Sequence, residues 1–386
     1  MNQPKSAATC GMEATEIAIL LWAAAVGTSF FTLAPALVGA FMDHVLLSVR
    51  EVGLISSGEL AGSALGSALV LIHGRRFPAR TTLTCSLVLA GLANIATATT
   101  GDFWNIAICR VVAGLGGGVA FSIVNAAAAR ARKPGRLFAA ISIVQTVFGV
   151  VGFIAVPAVI RAVGLPAVFV FLGVSALGCA VASAIRVTRA PIHGSALRSS
   201  LSLTPRGLLL LVSLFATYLT STAVWMHLER IGVAARLASQ IIAIGLSIGM
   251  ISGVLGSFGA AALLIRARHT DRFVMGGAAL MALSTGLLIK AAAPAAYLIA
   301  LFGFNGALAL VTPLYLTKLA AESRGDSRVL VAMMAMYLGL VLGPLLGSGL
   351  VAGLGYEDLI HVAAGLFVAA ALLAFGASRL SVNRFA

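Results

Sequence analysis

Twelve apolar stretches, each about twenty residues long and separated by short charged segments, constrain this chain more than any other feature. They lie near 17–41, 52–72, 81–99, 104–129, 137–160, 164–185, 207–228, 237–265, 273–290, 294–320, 329–352 and 358–378. Each is long enough to cross the hydrocarbon core of a bilayer as a helix. In lipid the backbone must satisfy its own hydrogen bonds, which only helices and closed barrels achieve. None of the stretches alternates polar and apolar residues as barrel strands do, so the expected class is an all-α membrane protein of twelve transmembrane helices. Only 10% of the 386 residues are charged, against about a quarter in a soluble domain. The 42 glycines suit close packing between membrane helices.

The net charge of +14 would suggest a nucleic-acid partner in a soluble protein, but the basic residues sit in short loops between apolar runs, so none is expected. Positive residues are retained on the cytoplasmic side of a membrane. The amino tail, 73–80, 130–136, 186–206, 266–272, 318–328 and the carboxyl tail together carry +15, and the alternate loops carry −1. The first set is therefore expected in the cytoplasm with both termini. The run from Ile17 to Val38 exceeds a signal-peptide core and is read as the first span. Cys10, Cys85, Cys109 and Cys179 show no paired spacing, so neither a disulfide framework nor a metal site is expected. No phosphate-binding GxxxxGK[ST] loop is present, no organic cofactor is implied, and energy is expected from an ion gradient rather than a nucleotide.

Sliding the chain by 192 residues overlays "LVLIHGRR" at 69–76 on "LLIRAR" at 263–268, and Gly135-Arg136 on Ser327-Arg328. Such duplication is a mark of transporters whose halves rock about a midplane site. The expected organisation is a six-helix bundle at 1–185, a basic, Ser-rich linker at 186–206 and a second bundle at 207–386.

The fourth stretch begins "CRVVAGLGGGVAF", placing glycines four and six residues after Arg110, at Gly114 and Gly116. The loop "GSALVLIHGRRFPAR" holds Gly66, Gly74, Arg75 and Arg76. Both patterns resemble those of the major facilitator superfamily. The family's loop acid is missing, with Val70 or Leu71 in its place. The fifth stretch has Pro157 without a Gly-Pro pair, whereas "LGPLLGSGL" at 342–350 carries one at Pro344. The resemblance implies two six-helix bundles around a central cavity, a monomer, and a place in a bacterial-type inner membrane. It also implies conformational roles for Gly74, Arg75, Arg76, Gly114, Gly116 and Pro344.

Two charges remain inside the spans, Glu59 and Arg110, at similar depth below the same membrane face. An intramembrane charge is costly and by default faces a cavity or a partner. One reading makes Glu59 a proton carrier whose affinity Arg110 modulates. A second makes the two a static packing pair, and a third lets Arg110 bind an anionic substrate. Thr28, Phe31, Gln145, Tyr218, Asn305 and Tyr337 fall near midplane and are the expected substrate-binding residues with Arg110, the alternative for each polar one being a helix–helix hydrogen bond. The glycines from Gly114 to Gly118 suit either close packing or a hinge. Trp225 and His227 are expected at the membrane interface, with proton sensing as an alternative for His227. Met333, Met334 and Met336 suit either core packing or an adaptable ligand surface.

These features predict proton-coupled secondary transport of a small organic solute, with efflux favoured by the aromatic, weakly polar cavity. The alternatives are a proton symporter importing an organic acid or metal chelate, and a non-transporting receptor or assembly factor of the same fold. The expected partners are a small-molecule substrate, protons and the lipid bilayer.

Overall fold

The computed structural model describes residues 12–74, 77–187, 204–266, 270–321 and 327–382. Most of the expected linker (188–203), together with Arg75 and Arg76, lies outside the described residues. The regular elements are helices: α1 (Ala14–Gly27), α2 (Ser29–His44), α3 (Val49–His73), α4 (Ala79–Ala98), α5 (Phe103–Arg130), α6 (Pro134–Val163) and α7 (Leu165–Arg186) in the first half. The second half holds α8 (Pro205–Trp225), α9 (Leu228–Ala234), α10 (Ser239–Arg266), α11 (Thr270–Leu287), α12 (Pro294–Ala321), α13 (Ser327–Gly353) and α14 (Tyr356–Val382). Twelve spans are long and apolar enough to cross a membrane, with α1 and α2 counting as one and α9 too short to count.

Local chemistry sets the ends of these helices. Ser48 and Glu51 form a reciprocal capping box at the start of α3. Asp102 caps α5 by accepting from the Asn105 amide, and Thr204 caps α8 by accepting from Gly207. Gly164 (φ 89°) and Gly355 (φ 102°) turn the chain between α6 and α7 and between α13 and α14, in a backbone region that favours glycine.

Those two glycines also mark the duplication. Corresponding helices begin 190–193 residues apart: Ala14 and Pro205, Val49 and Ser239, Ala79 and Thr270, Phe103 and Pro294, Pro134 and Ser327, Leu165 and Tyr356. Packing repeats with the sequence. In the first bundle α3 lies on α5 and α4 on both α5 and α7; in the second α10 lies on α12 and α11 on both α12 and α14. The bundles meet along two main seams, α3 against α13 and α6 against α10, with a smaller contact of α2 on α9. We call the end at which α3, α5 and α10 finish, at His73, Arg130 and Arg266, the basic side.

The first span corrects its expectation. Instead of one continuous helix over 17–41, the chain leaves helical geometry at Thr28 (φ −115°, ψ 11°) and restarts at Ser29. The Thr28 hydroxyl donates to the Ala24 carbonyl (2.9 Å), and Gly27 lies against the backbone of Gly117 on α5.

Candidate functional site

The break in the first span and Pro35 inside α2 together shape the upper wall of a central cavity. Proline has no N–H, so Pro35 cannot donate to the Phe31 carbonyl one turn earlier. The Trp225 indole of α8 fills that vacancy across the bundle interface, its Nε1 donating to Phe31 O at 3.0 Å. The ring also packs edge-on to Phe153 of α6 and is 6% exposed. Trp225 is therefore a lid over the cavity rather than a membrane-belt residue. The belt expectation failed because the next turn folds inward: His227 is buried, with Nδ1 2.8 Å from the Ala223 carbonyl and Nε2 3.3 Å from Ser348 Oγ. Burial pushes the His227 imidazole down to about 4.

Below the lid the cavity has a volume of about 530 Å³, within the range of drug-sized ligand sites. Six of the seven expected substrate-binding residues line it: Thr28, Phe31, Gln145, Tyr218, Asn305 and Tyr337. The polar ones also hold one another. Gln145 Nε2 donates to Thr28 Oγ1 (2.8 Å), Tyr218 shares a hydrogen bond with Thr312 (2.8 Å), Tyr337 reaches Ser67 across the α3–α13 seam (3.4 Å), and Asn305 donates to Leu301 O (3.3 Å). These residues line the cavity, and Gln145, Tyr218 and Tyr337 also tie neighbouring segments together, whereas the Asn305 bond stays within α12. Towards the basic side the lining becomes exposed at Ser142 and Ser257, whereas Phe30 and Trp225 are buried at the other end. The cavity opens towards the basic side.

Arg110 is the expected residue that does not line the cavity. It is fully buried inside the first bundle, facing α4. Its Nη2 donates to Thr97 Oγ1 (2.8 Å), Asn94 Oδ1 (3.0 Å) and Ala93 O (3.4 Å), and Nε donates to Thr97 (3.2 Å). The Phe169 and Phe30 rings lie 5.0 and 5.8 Å from the guanidinium carbon. Only Nη1 turns to Glu59, at 3.5 Å from Oε2. Glu59 itself lies on the cavity wall, and its Oε1 has no hydrogen-bond partner among the described residues. Direct recognition of an anion by Arg110 is corrected accordingly: protein groups enclose the guanidinium. Sequence reading missed Asn94 and Thr97, although a buried arginine implies such acceptors and these two lie three apart on one helix.

Glycines set how closely Glu59 and Arg110 approach. A Cβ at Gly114 would collide with the Glu59 carbonyl oxygen, and one at Gly118 with that of Ser63. On the facing helix Gly62 and Gly66 meet the backbones of Val111 and Leu115. Ser63 Oγ donates to Gly114 O at 3.1 Å, completing a small-residue crossing in which α3 and α5 touch backbone to backbone. Gly116 meets the backbone of α4 at Ser86 in the same way. The Gly114–Gly118 run is thus a packing surface in this conformation. Gly74 closes α3, donating its N–H to Val70 O, and Pro344 is buried on the α3–α13 seam with its carbonyl against Gly53. Of the three methionines, Met336 lines the cavity while Met333 and Met334 are exposed, so the adaptable surface reduces to one side chain.

At the end opposite the basic side a second charged cluster spans the bundles. Arg230 of α9 forms a bidentate pair with Asp43 of α2 (2.8 and 2.7 Å) and also holds its neighbour Glu229 (3.0 Å). A Cβ at Gly39 would collide with this cluster. Burial raises the Glu229 carboxyl above its ordinary value, partly offset by hydrogen bonds from Arg230.

The chain matches the family model of the Major Facilitator Superfamily over residues 19–327. No curated protein sequence matches it. Among solved structures, a bacterial homologue of the human lysosomal transporter Spinster, inward-facing and unoccupied, is similar at a TM-score of 0.70 and 15% identity, covering 96% of this chain and 98% of that one. The same kind of homologue in an inward-facing, occupied state gives 0.71 and 14%, with 95% and 96% covered. A point variant of the nucleoside transporter NupG gives 0.73 and 12%, with 94% and 98% covered. These likenesses carry the fold, and the family match carries the membership: the chain belongs to the major facilitator superfamily and is a multi-pass membrane transporter, not an enzyme.

Proposed function

We propose that this transporter moves a small organic solute by alternating access of the central cavity and couples the movement to protons through Glu59. The observation that carries this reading is the position of Glu59 on the cavity wall with Arg110 sealed behind it. A carboxylate that touches both the cavity and a fixed cation can take up a proton when the cavity faces one compartment and release it to the other. Arg110 stays satisfied throughout by Thr97, Asn94 and Ala93.

The loop charges support placing the basic side and both termini in the cytoplasm, so the cavity opens inward. Trp225 on Phe31 O and Arg230 on Asp43 then close the outer end, and both contacts must part as the bundles rock outward. A bacterial-type inner membrane and a monomer fit this reading, the site being complete within one chain. The aromatic lining from Phe30, Phe31, Trp225 and Phe304 favours efflux of amphipathic solutes over uptake of polar ones.

The test is flux of a broad metabolite and drug panel into oriented vesicles under a pH gradient of either sign, comparing wild type with Glu59→Gln. Gradient-dependent flux of at least one solute that the variant loses supports the reading. Flux indifferent to the gradient or to the variant reduces Glu59 to a packing role.

A further inference from the structure

Among the described residues that line the cavity, Glu59 alone carries a formal charge. The other polar side chains of its lining are hydroxyls, amides, an indole and the phenols of Tyr218 and Tyr337. The charged group facing Glu59 is Arg110 of α5, which in turn has Cys109 beside it. The lining residues contributed by α2, α6, α10 and α12 include no charged side chain.

The Glu59–Arg110 pair is therefore a dipole with a fixed direction. Its negative end belongs to a residue of the cavity wall and its positive end is buried, the Arg110 side chain being 1% exposed. A solute in the cavity comes closer to the carboxylate than to the guanidinium, so a cation is attracted and an anion repelled. The aromatic walls act in the same direction, because aromatic rings attract cations and cover apolar bodies, and Phe31, Phe304, Tyr218 and Trp225 line the cavity. Meanwhile Arg110 draws its hydrogen bonds chiefly from α4, so Glu59 can turn to a ligand without leaving the guanidinium unsatisfied.

Resting on the proton-coupled reading above, we infer that the substrate is a monovalent organic cation with an aromatic or aliphatic body, and that it competes with the proton for the Glu59 carboxylate. A protonated Glu59 meets the cation, one proton leaves to solution, and the ionised carboxylate holds the cation in its place. Return of the carrier with a proton completes the cycle. One proton exchanged for one monovalent cation moves no net charge, so transport responds to the pH gradient and not to membrane potential.

The probes are tetraphenylphosphonium and tetraphenylborate, which share a shape and differ in the sign of charge, measured by equilibrium dialysis on the full-length protein in detergent. The expected result is saturable phosphonium binding that releases a proton and tightens about tenfold per pH unit while Glu59 is mostly protonated. Glu59→Gln should weaken it about tenfold or more, Glu59→Asp should retain the pH dependence, and borate should show no Glu59-dependent binding. Wild-type protein that holds borate as well as phosphonium overturns the inference, as does a folded Glu59→Gln variant that binds phosphonium like wild type. Its failure is separable from that of proton coupling. Loss of phosphonium binding with intact, Glu59-dependent flux of a neutral or anionic solute defeats the cation assignment alone. Phosphonium binding without any gradient-driven flux defeats the coupling alone.

Discussion

The two ion-pair clusters of this molecule are built for different tasks. Glu59 and Arg110 lie within one bundle, on helices locked together by glycines, so under the proposed alternating access they move as a unit. Asp43 and Arg230 lie on different bundles, so the same proposed motion would part them. The first pair is sealed in protein on its arginine side, whereas the Asp43 side chain is 54% exposed. Burial makes the first expensive to disturb, and exposure makes the second easy to break. A buried, single-bundle pair suits a coupling site that persists through the cycle, and an exposed, cross-bundle pair suits a latch.

This contrast is sharpest for Arg110→Ala. It leaves a carboxylate without its cation and empties a buried site, and should cost about 3–5 kcal/mol, read as a large drop in thermal stability in detergent. Glu59→Gln should cost much less, because Arg110 keeps its α4 acceptors; equal losses from the two variants would break the asymmetry claimed here. Next in size is Gly114→Ala, which sets a methyl against the Glu59 carbonyl and should cost about 1–3 kcal/mol. Alanine at Gly276 or Gly365, where a Cβ meets nothing, should show no such overpacking in the same melting experiment.

Trp225→Phe keeps an aromatic lid but deprives the Phe31 carbonyl of its donor, a loss of about 1–3 kcal/mol for the closed end opposite the basic side. Thiol labelling of a cysteine introduced near Asp43 should then quicken. Asp43→Asn should shift the same labelling least, by a factor corresponding to about 0–1 kcal/mol.

The neighbouring Glu229 adds a sign that can be checked. Desolvation raises its pKa in the closed state, so its contribution to closure is present in acid and lost as pH rises through the raised value. The groups facing it are Arg230, Asp43 and the phenols of Tyr297 and Tyr356. Labelling should slow as pH falls in wild type, and Glu229→Gln should remove that dependence.

Much of the architecture was legible because the bilayer makes apolar length speak directly to the number of spans. The repeat, the spans and the depth of Glu59 and Arg110 follow from spacing alone. The facing of side chains was not legible in the same way. Arg110 was expected in the cavity because a helix position fixes depth, but rotation about the axis depends on which glycines meet which backbone. The break at Thr28 was hidden inside an unbroken apolar run. Trp225 was misplaced because an aromatic near a span end reads as an interface residue until Pro35 on another helix leaves a carbonyl for it. The Asp43–Arg230 latch joins residues 187 apart in sequence, a pairing that loop tallies average away.

The central claim is that Glu59 exchanges a proton with the cavity while Arg110 remains in place. Infrared difference spectroscopy of the purified protein, titrated with pH and compared with Glu59→Gln, measures this most directly. The account predicts a carboxylic-acid band that grows as pH falls in wild type and is missing from the variant. Identical titrations of the two proteins would mean that Glu59 never changes its protonation over that range, and would contradict it.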